Sequence, residues 1–350
     1  MKGESVLNDQ KCPKRIPCPV CFSDQAQRLW GTTSGQAAQH FVLREKSLER
    51  HLELRLHIES LWGQATCDIL RCDTCGFCFS SPYIAGDEQF YSLAYDRCRY
   101  PVWKWEFQLT YDALRTVCRP DMKLLEIGAG HGAFLAKIAD TLLPRENLFG
   151  TEFSITGRSR LETLGVKCFS QDVRRLSGTD FEQSFDCVCL FQVLEHMDGL
   201  DVLFEKLNGL MKNGGSLFIA VPNPRIIEFN ESHGALLDMP PAHIGRWNRE
   251  CFERIGKRHG FQIVDFRTEK PGFMAMAKVY AQYRFLRKSQ RNGSFENRIQ
   301  TIQKPILKKV MQLIGVALTS LFAIPNIARL NNDLGSSLWV HLKKCGKEGA

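Results

Sequence analysis

The stretch LLEIGAGHGAFL, Leu124 to Leu135, constrains the fold more than any other part of the chain. A short apolar run carrying Glu126 gives way to Gly128, Gly130 and Gly132, and then to apolar residues at helical spacing. A strand that ends in a glycine turn and opens into a helix points backbone N–H groups at a ligand, and the helix N-terminus favours negative charge there. Glycine lets that ligand approach the backbone closely and permits positive φ. The run G-A-G-H-G-A also satisfies the dinucleotide fingerprint, with Ala133 in the last place. Taken alone, the loop is therefore compatible with a nicotinamide nucleotide, or with nothing more than a tight strand-to-helix turn.

From Lys123 onward, strand and helix patterns alternate. NLFGTEF is predicted as a second strand ending at Glu152 and VKCFSQ as a third, followed by Asp172. FDCVCLFQV is predicted as a fourth strand, and SLFIAVP as a fifth that stops at Pro222. AFLAKIADTLL has helical spacing, and LDVLFEKLNGLMKNGG reads as an amphipathic helix closed by Gly214 and Gly215. Asn248 to His259 reads as another helix, FQIVDFRTE as a sixth strand and SSLWVHLKK as the last. This order predicts an α/β fold, a largely parallel sheet with helices on both faces.

Several separated residues then converge on one family. Glu126 lies two residues before the first glycine, Glu152 ends the second strand, Asp172 follows the third, and QVLEHM runs from Gln192 to Met197. Together they resemble the class I S-adenosylmethionine-dependent methyltransferases. The tetrad Val193-Leu194-Glu195-His196 is similar to that of a subgroup including the ubiquinone-pathway O-methyltransferases. The resemblance covers roughly Leu114 to Glu269 and the final strand. It implies a Rossmann-like seven-stranded, mostly parallel sheet with an antiparallel terminal hairpin, and S-adenosyl-L-methionine as cofactor. It assigns Glu126, Gly128, Gly130 and Gly132 to the methionine-moiety loop and Glu152 to the ribose. Asp172 and Val173 fall on the adenine edge, and Phe191 and Gln192 on the lip after strand four.

Methyl transfer requires a nucleophile held in line with an electrophilic methyl group and shielded from water. A base is needed only where the nucleophile must lose a proton, and His196 and His243 are the candidates. His243 lies in DMPPAHIGRW. In relatives this region often reads Pro-Pro-His-His followed by an aromatic residue and lines the acceptor pocket. Here Ala242 replaces the first histidine, while His243, Arg246 and Trp247 remain. In the ubiquinone-pathway relatives a Glu-x-x-Glu-His cluster is associated with a divalent metal. Gln192 at its first position leaves only Glu195 and His196, an incomplete ligand set. The rival readings are a nicotinamide-dependent oxidoreductase and an S-adenosylmethionine-binding scaffold without turnover.

Cys18-Pro-Val-Cys21 and Cys72-Asp-Thr-Cys75 are two C-x-x-C knuckles, separated by fifty residues. Four thiolates with no open position fit a structural zinc, whose binding would help fold a segment expected to have little core of its own. Cys12, Cys67 and Cys78 are spare neighbours. The knuckles, followed by Gly76, Pro82 and a tyrosine-rich stretch, resemble the front end of sugar and surface-polysaccharide methyltransferases. The predicted organisation is a zinc-binding module over 1–85, an aromatic connecting segment over 86–120 and a methyltransferase domain over 121–350. The expected acceptor is a small molecule or sugar-linked precursor, methylated on O or C.

Within the last part, residues 270–335 form a basic insertion between the final two strands. Lys270 to Val310 holds ten Lys or Arg and one acid, Glu296. The apolar run Val310 to Pro325 follows it. Such a segment is expected to cap the sheet, to contact an anionic membrane peripherally, or to hold an anionic acceptor. A net charge of +8 without an accompanying nucleic-acid motif argues against DNA or RNA. The first fifteen residues contain no apolar core of the signal-peptide kind. Fourteen cysteines then suit reduced thiols and metal ligation, and a cytoplasmic location is expected, with contact at the inner face of a membrane where the insertion reaches one.

Overall fold

A computed structural model describes residues 16–95, 103–176, 181–232, 235–272 and 333–346, together with parts of 276–321. Cys12, Cys98, Tyr100, Lys304 and residues 322–325 lie outside the described residues.

The N-terminal part builds β1 (Ala26–Thr33), α1 (Ser34–Phe41), α2 (Leu48–Trp62), β2 (Thr66–Cys72), β3 (Cys78–Ser81) and α3 (Glu88–Ala94). Thr33 starts α1 with a reciprocal capping box: its hydroxyl accepts from the Gln36 amide, and the Gln36 side chain accepts from the Thr33 amide. Asp87 caps α3 by accepting from the Phe90 amide. Contrary to the sequence expectation, this part has a core of its own. Ala37, Leu54, Ile58, Trp62 and Phe90 are buried together. The signal was weak because α2, LERHLELRLHIESLW, buries only His51, Leu54, Ile58 and Trp62 while Leu48, Leu52 and Leu56 are exposed, so its leucines mark no single face.

The remainder begins with α4 (Trp105–Arg115), which lies inside the predicted connecting segment. Then follow β4 (Leu124–Ile127), α5 (Ala133–Thr141), β5 (Leu148–Thr151), α6 (Ile155–Thr163), β6 (Lys167–Phe169) and β7 (Phe185–Phe191). The chain continues through α7 (Leu200–Leu210), β8 (Met211–Pro222), α8 (Pro224–Ser232), β9 (Gly245–Arg246), α9 (Arg249–Arg258) and β10 (Phe261–Thr268). The described part of the insertion holds α10 (Phe295–Gln300) and α11 (Pro305–Leu321), and β11 (Ser337–Lys344) closes the fold. Every predicted strand is present. The amphipathic helix, however, stops at Leu210, and the Lys212–Gly215 stretch belongs to β8. Met211 already pairs with Phe185, and the register shift that follows absorbs the two glycines.

Seven strands form one sheet in the order β10-β11-β8-β7-β4-β5-β6. β4, β5, β6, β7 and β8 run parallel, and β11 is antiparallel to both β8 and β10. This is the expected Rossmann-like sheet with an antiparallel terminal hairpin. Alternate residues of β4 serve opposite faces. Leu125 and Ile127 join the core under α7 and α9, whereas Leu124 joins the core under α4 and α5. The sheet reverses its winding at β4, with β5 on one side and β7 on the other. In open α/β sheets, ligands bind outside the C-terminal strand ends at this reversal. The glycine loop after β4 and the Gln192 loop after β7 both emerge there.

A second sheet, β1-β2-β3-β9, joins the two parts. Its last strand comes from the larger part, with Cys78 opposite Arg246 and Phe79 opposite Gly245. Cys18, Cys72, Cys75, Phe77 and Phe79 share the core that also holds Trp247, Phe252 and Ile255. The cysteine module is thus fused to the main sheet through one continuous core.

Candidate active site and cysteine centre

Gly128, Gly130 and Gly132 all have positive φ, at 69°, 56° and 73°. That is the left-handed region, where a side chain is strained. A Cβ at Gly128 would come within 2.6 Å of Val193, and one at Gly132 within 2.6 Å of Leu161. The loop is therefore packed tightly from behind, against the tetrad after β7 and against α6. Gly132 also caps α5.

Glu152 stands just beyond β5. Its carboxylate accepts from the Gly130 amide at 2.8 Å and the Ser154 amide at 2.7 Å. The glycine loop thus orients the acidic residue, and Glu152 in turn holds the loop. Gly157 belongs to this arrangement although nothing in the sequence marked it. A Cβ there would meet the Gly130 carbonyl at 2.7 Å and Glu152 Cγ at 2.6 Å. Glu126 is fully enclosed, its Oε2 has no hydrogen-bond partner among the described residues, and burial pushes its carboxyl well above the usual range. An orphaned carboxyl oxygen beneath the loop suits a ligand that brings a donor, such as an amino group.

Asp172 is half-buried and engaged with Arg174, accepting from its Nε at 2.9 Å and its Nη2 at 2.6 Å. Arg174 also donates to Asp198, at 3.0 Å. Burial acts to raise the Asp172 carboxyl, but the bonds from Arg174 outweigh it and hold the group below its ordinary value. Val173 is buried beside it. Phe191 ends β7 with its ring in the core, edge-on to Phe107 and Phe134 at 4.9 and 5.0 Å. Gln192 has φ 58°, a backbone setting rare for a residue with a side chain. Its amide nitrogen donates to Glu106 and to Ser337 Oγ, both at 3.2 Å.

His196 and His243 meet with ring centroids 4.7 Å apart and nearly perpendicular. His196 Nδ1 lies 2.7 Å from the Ala242 carbonyl and 3.1 Å from the Tyr91 hydroxyl. The carbonyl can only accept, so the Nδ1 carries the proton. His243 Nδ1 lies 2.7 Å from Asp238 Oδ1. Burial lowers His196 to about 3, so its ring is neutral. Burial also acts to lower His243, but the Asp238 bond outweighs it and the net shift is upward. Glu195 is raised to about 7, chiefly by burial. Arg246 and Trp247 do not join the histidines. Arg246 pairs with both oxygens of Glu231, and Trp247 is wholly buried, packed against Phe77 and Phe252. Tyr91 and Asp238, which touch these histidines, were not marked by any sequence signal. Only spatial proximity reveals Tyr91 and Asp238, whereas Glu195 was visible in the tetrad.

The four cysteines of the knuckles converge. Cys18 and Cys75 sulfurs are 3.6 Å apart, Cys21 and Cys72 sulfurs 3.5 Å, and all four lie within 4.8 Å of one another. A tetrahedron with metal–sulfur bonds of ~2.3 Å has edges of ~3.8 Å, so the donor set fits a zinc ion. Burial acts to raise Cys72, but the backbone amides of Cys75 and Thr74 bring it down to about 7. A thiol of that kind gives up its proton readily to a metal.

Residues 104–265 match a family model described as a methyltransferase domain. The match begins at the N-terminus of α4 and takes in the glycine loop, Glu152, Asp172, the tetrad and His243. No curated protein matches the chain. Similar solved structures include the phosphoethanolamine N-methyltransferase 2 of Haemonchus contortus, at 16% identity and a TM-score of 0.38. That pairing covers 69% of this chain and 53% of the other, so the chain spans about half the length of this relative. The geranyl diphosphate C-methyltransferase of Streptomyces coelicolor A3(2) shares 13% identity, with a TM-score of 0.41 and coverage of 69% and 78%. An S-adenosylmethionine-dependent methyltransferase from Archaeoglobus fulgidus shares 19%, with a TM-score of 0.41 and coverage of 68% and 94%. Similarity of this degree fixes neither ligand nor acceptor in this chain. Residues 104–265 are thus similar to a methyltransferase domain, and the strand order is that of a Rossmann-like fold.

Proposed function

We propose that the protein is an S-adenosylmethionine-dependent methyltransferase acting on a small-molecule or sugar-linked acceptor. The observation that carries this reading is the reciprocal grip between Glu152 and the Gly130 amide at the reversal point of the sheet. A carboxylate at that position can accept from both hydroxyls of a ribose, and the loop can admit the methionine end above Glu126. When bound, the cofactor supplies an electrophilic methyl group on sulfur. The chain holds the nucleophile on the His196–His243 side, and His243 orients it or relieves it of its proton. The Tyr91 hydroxyl, from the N-terminal part, closes the same side.

Replacing Glu152 by alanine tests the ribose assignment. The variant is expected to bind S-adenosylhomocysteine more weakly by ~1.5–3 kcal/mol, the range for a charged hydrogen bond. Calorimetry should read this as a loss of roughly ten- to a hundredfold in affinity. Unchanged affinity would remove Glu152 from the site.

The cysteine centre is read as a structural zinc site. The resemblance of the front end to sugar methyltransferases supports a sugar-linked acceptor, and gas-phase identification of metabolites that accumulate on deletion would test it. Peripheral membrane contact is the reading for the insertion. Leu307, Val310, Leu313 and Ile314 of α11 are exposed on one side beside Lys309. No helix among the described residues is long and apolar enough to cross a membrane. Each basic residue at an anionic surface contributes roughly 1 kcal/mol, screened by salt. Cosedimentation should therefore show weak binding to anionic vesicles only, lost at high salt and on changing Lys304, Lys308 and Lys309 to Glu. Equal partitioning to neutral vesicles, or none at low salt, would leave the insertion as a cap over the sheet.

A further inference from the structure

The sequence offered Cys67 and Cys78 as spare thiols beside the two knuckles, and neither joins the four sulfurs. Cys67 lies in the separate core of α1, α2 and α3. The Cys78 sulfur turns to the Gly76 carbonyl, at 3.8 Å, and to Arg71. The thiol that does approach is Cys251, 176 positions after Cys75. It stands in the first turn of α9, wholly buried in the core that also holds Cys18, Cys72 and Cys75.

Cys251 meets Cys75 at two points. Its thiol donates to the Cys75 carbonyl at 3.6 Å, and it is a hydrogen-bonding neighbour of the Cys75 thiol. Asn248 fixes this approach. Its side chain donates to the same carbonyl at 3.1 Å and accepts from the Cys251 amide at 2.9 Å. One turn further along α9, the charge of Arg254 acts on Cys21 and Cys75. The helix therefore brings its N-terminus, an arginine and a thiol to the centre. Four thiolates outweigh the charge of a divalent ion, and both the helix N-terminus and Arg254 favour the excess negative charge. A buried thiol often serves only as a small apolar side chain. Here the cap geometry aims the sulfur at a residue of the metal-binding set.

On the zinc reading given above, we propose that Cys251 is a reserve ligand of the cysteine centre, able to take the fourth position when Cys75 leaves it. In that exchange one metal–sulfur bond breaks as another forms. The Cys251 proton passes to the departing Cys75 sulfur across the contact between the two thiols, and no electron moves. The alternative set, Cys18, Cys21, Cys72 and Cys251, is again four thiolates, so the closed tetrahedral shell of a structural zinc is preserved. The anchor changes, however. Cys75 belongs to the second knuckle and Cys251 to α9, so after the exchange the metal is bonded directly to the helix that follows β9.

Metal content tests the exchange without any assay of activity. The full-length chain and its variants are made in zinc-supplemented medium, and bound zinc is measured by mass spectrometry. Cobalt is then substituted, and the sulfur-to-cobalt charge-transfer absorption, which grows with each bound thiolate, counts the ligands. Cys75→Ala should keep one zinc per chain and the four-thiolate absorption of the wild type. Cys251→Ala should do the same, since its knuckles are intact. The double variant Cys75→Ala/Cys251→Ala should lose the zinc or fall to a three-thiolate absorption. Cys72→Ser, whose sulfur pairs with Cys21 rather than with α9, is the control that releases the metal. Loss of zinc from Cys75→Ala, a three-thiolate absorption in that variant, or a double variant that matches it would overturn the reserve ligand. A wild-type chain without zinc would instead remove the cysteine centre itself, and the reserve ligand with it.

Discussion

Gly130→Val should reduce affinity for S-adenosylmethionine and its demethylated product on the order of a hundredfold, with the chain still folded. Gly130 sits at φ 56°, where a β-branched residue is strained by ~1–3 kcal/mol. Relieving that strain means turning the peptide, and the Gly130 amide is the group that holds Glu152. Both halves of the cofactor site then move at once: the loop that meets the methionine end and the carboxylate that meets the ribose. At 1.4 kcal/mol per tenfold, the strain alone accounts for a loss of roughly 5- to 150-fold. Calorimetry on wild type and variant reads this directly. Equal affinity would mean that the loop is a tight turn with no ligand above it.

Cys72→Ser should release the zinc and unfold more than the cysteine knuckles. Structural zinc sites contribute ~10–16 kcal/mol of binding free energy, which is folding free energy for the segment that they organise. Here the segment is built into the main core. Asn248, the residue that caps α9, donates to the Cys75 carbonyl at 3.1 Å, and Phe77 packs on Trp247 at 5.0 Å. β3 pairs with β9, which begins two residues after His243. Loss of the metal should therefore raise amide exchange across β1–β3, the start of α9 and the segment carrying Asp238 and His243. The glycine loop, anchored on β4 and β5, should keep its protection. Metal analysis finding no zinc in protein made in zinc-supplemented medium would remove the claim, and exchange confined to residues 16–80 would show that the two parts are uncoupled.

The main sheet was legible because its signals are local. LLEI, FDCVCLF and SLFIAVP are mostly apolar runs between helices of clear period, as parallel strands buried on both faces tend to be. Glycines 128, 130 and 132 announced a turn with positive φ, and the structure has one. The four cysteines were legible for a similar reason: each knuckle is a fixed local spacing. The second sheet was not. β1 alternates poorly, and β9 is two residues long and pairs with a strand about 165 positions earlier, so no window of sequence contains the pattern. The histidine side shows the same limit. His196 and His243 could be nominated, but their partners Tyr91 and Asp238 are brought in by tertiary packing. Gln192 bonds Glu106 and Ser337, partners that no local pattern shows.

The central claim is that the crevice at the reversal of the sheet binds the sulfonium cofactor. Calorimetric titration of the zinc-loaded wild-type chain with S-adenosylhomocysteine, and separately with NAD, tests it most directly. The account predicts one S-adenosylhomocysteine per chain and no heat from NAD. Tight NAD binding, or no binding of S-adenosylhomocysteine, would contradict it.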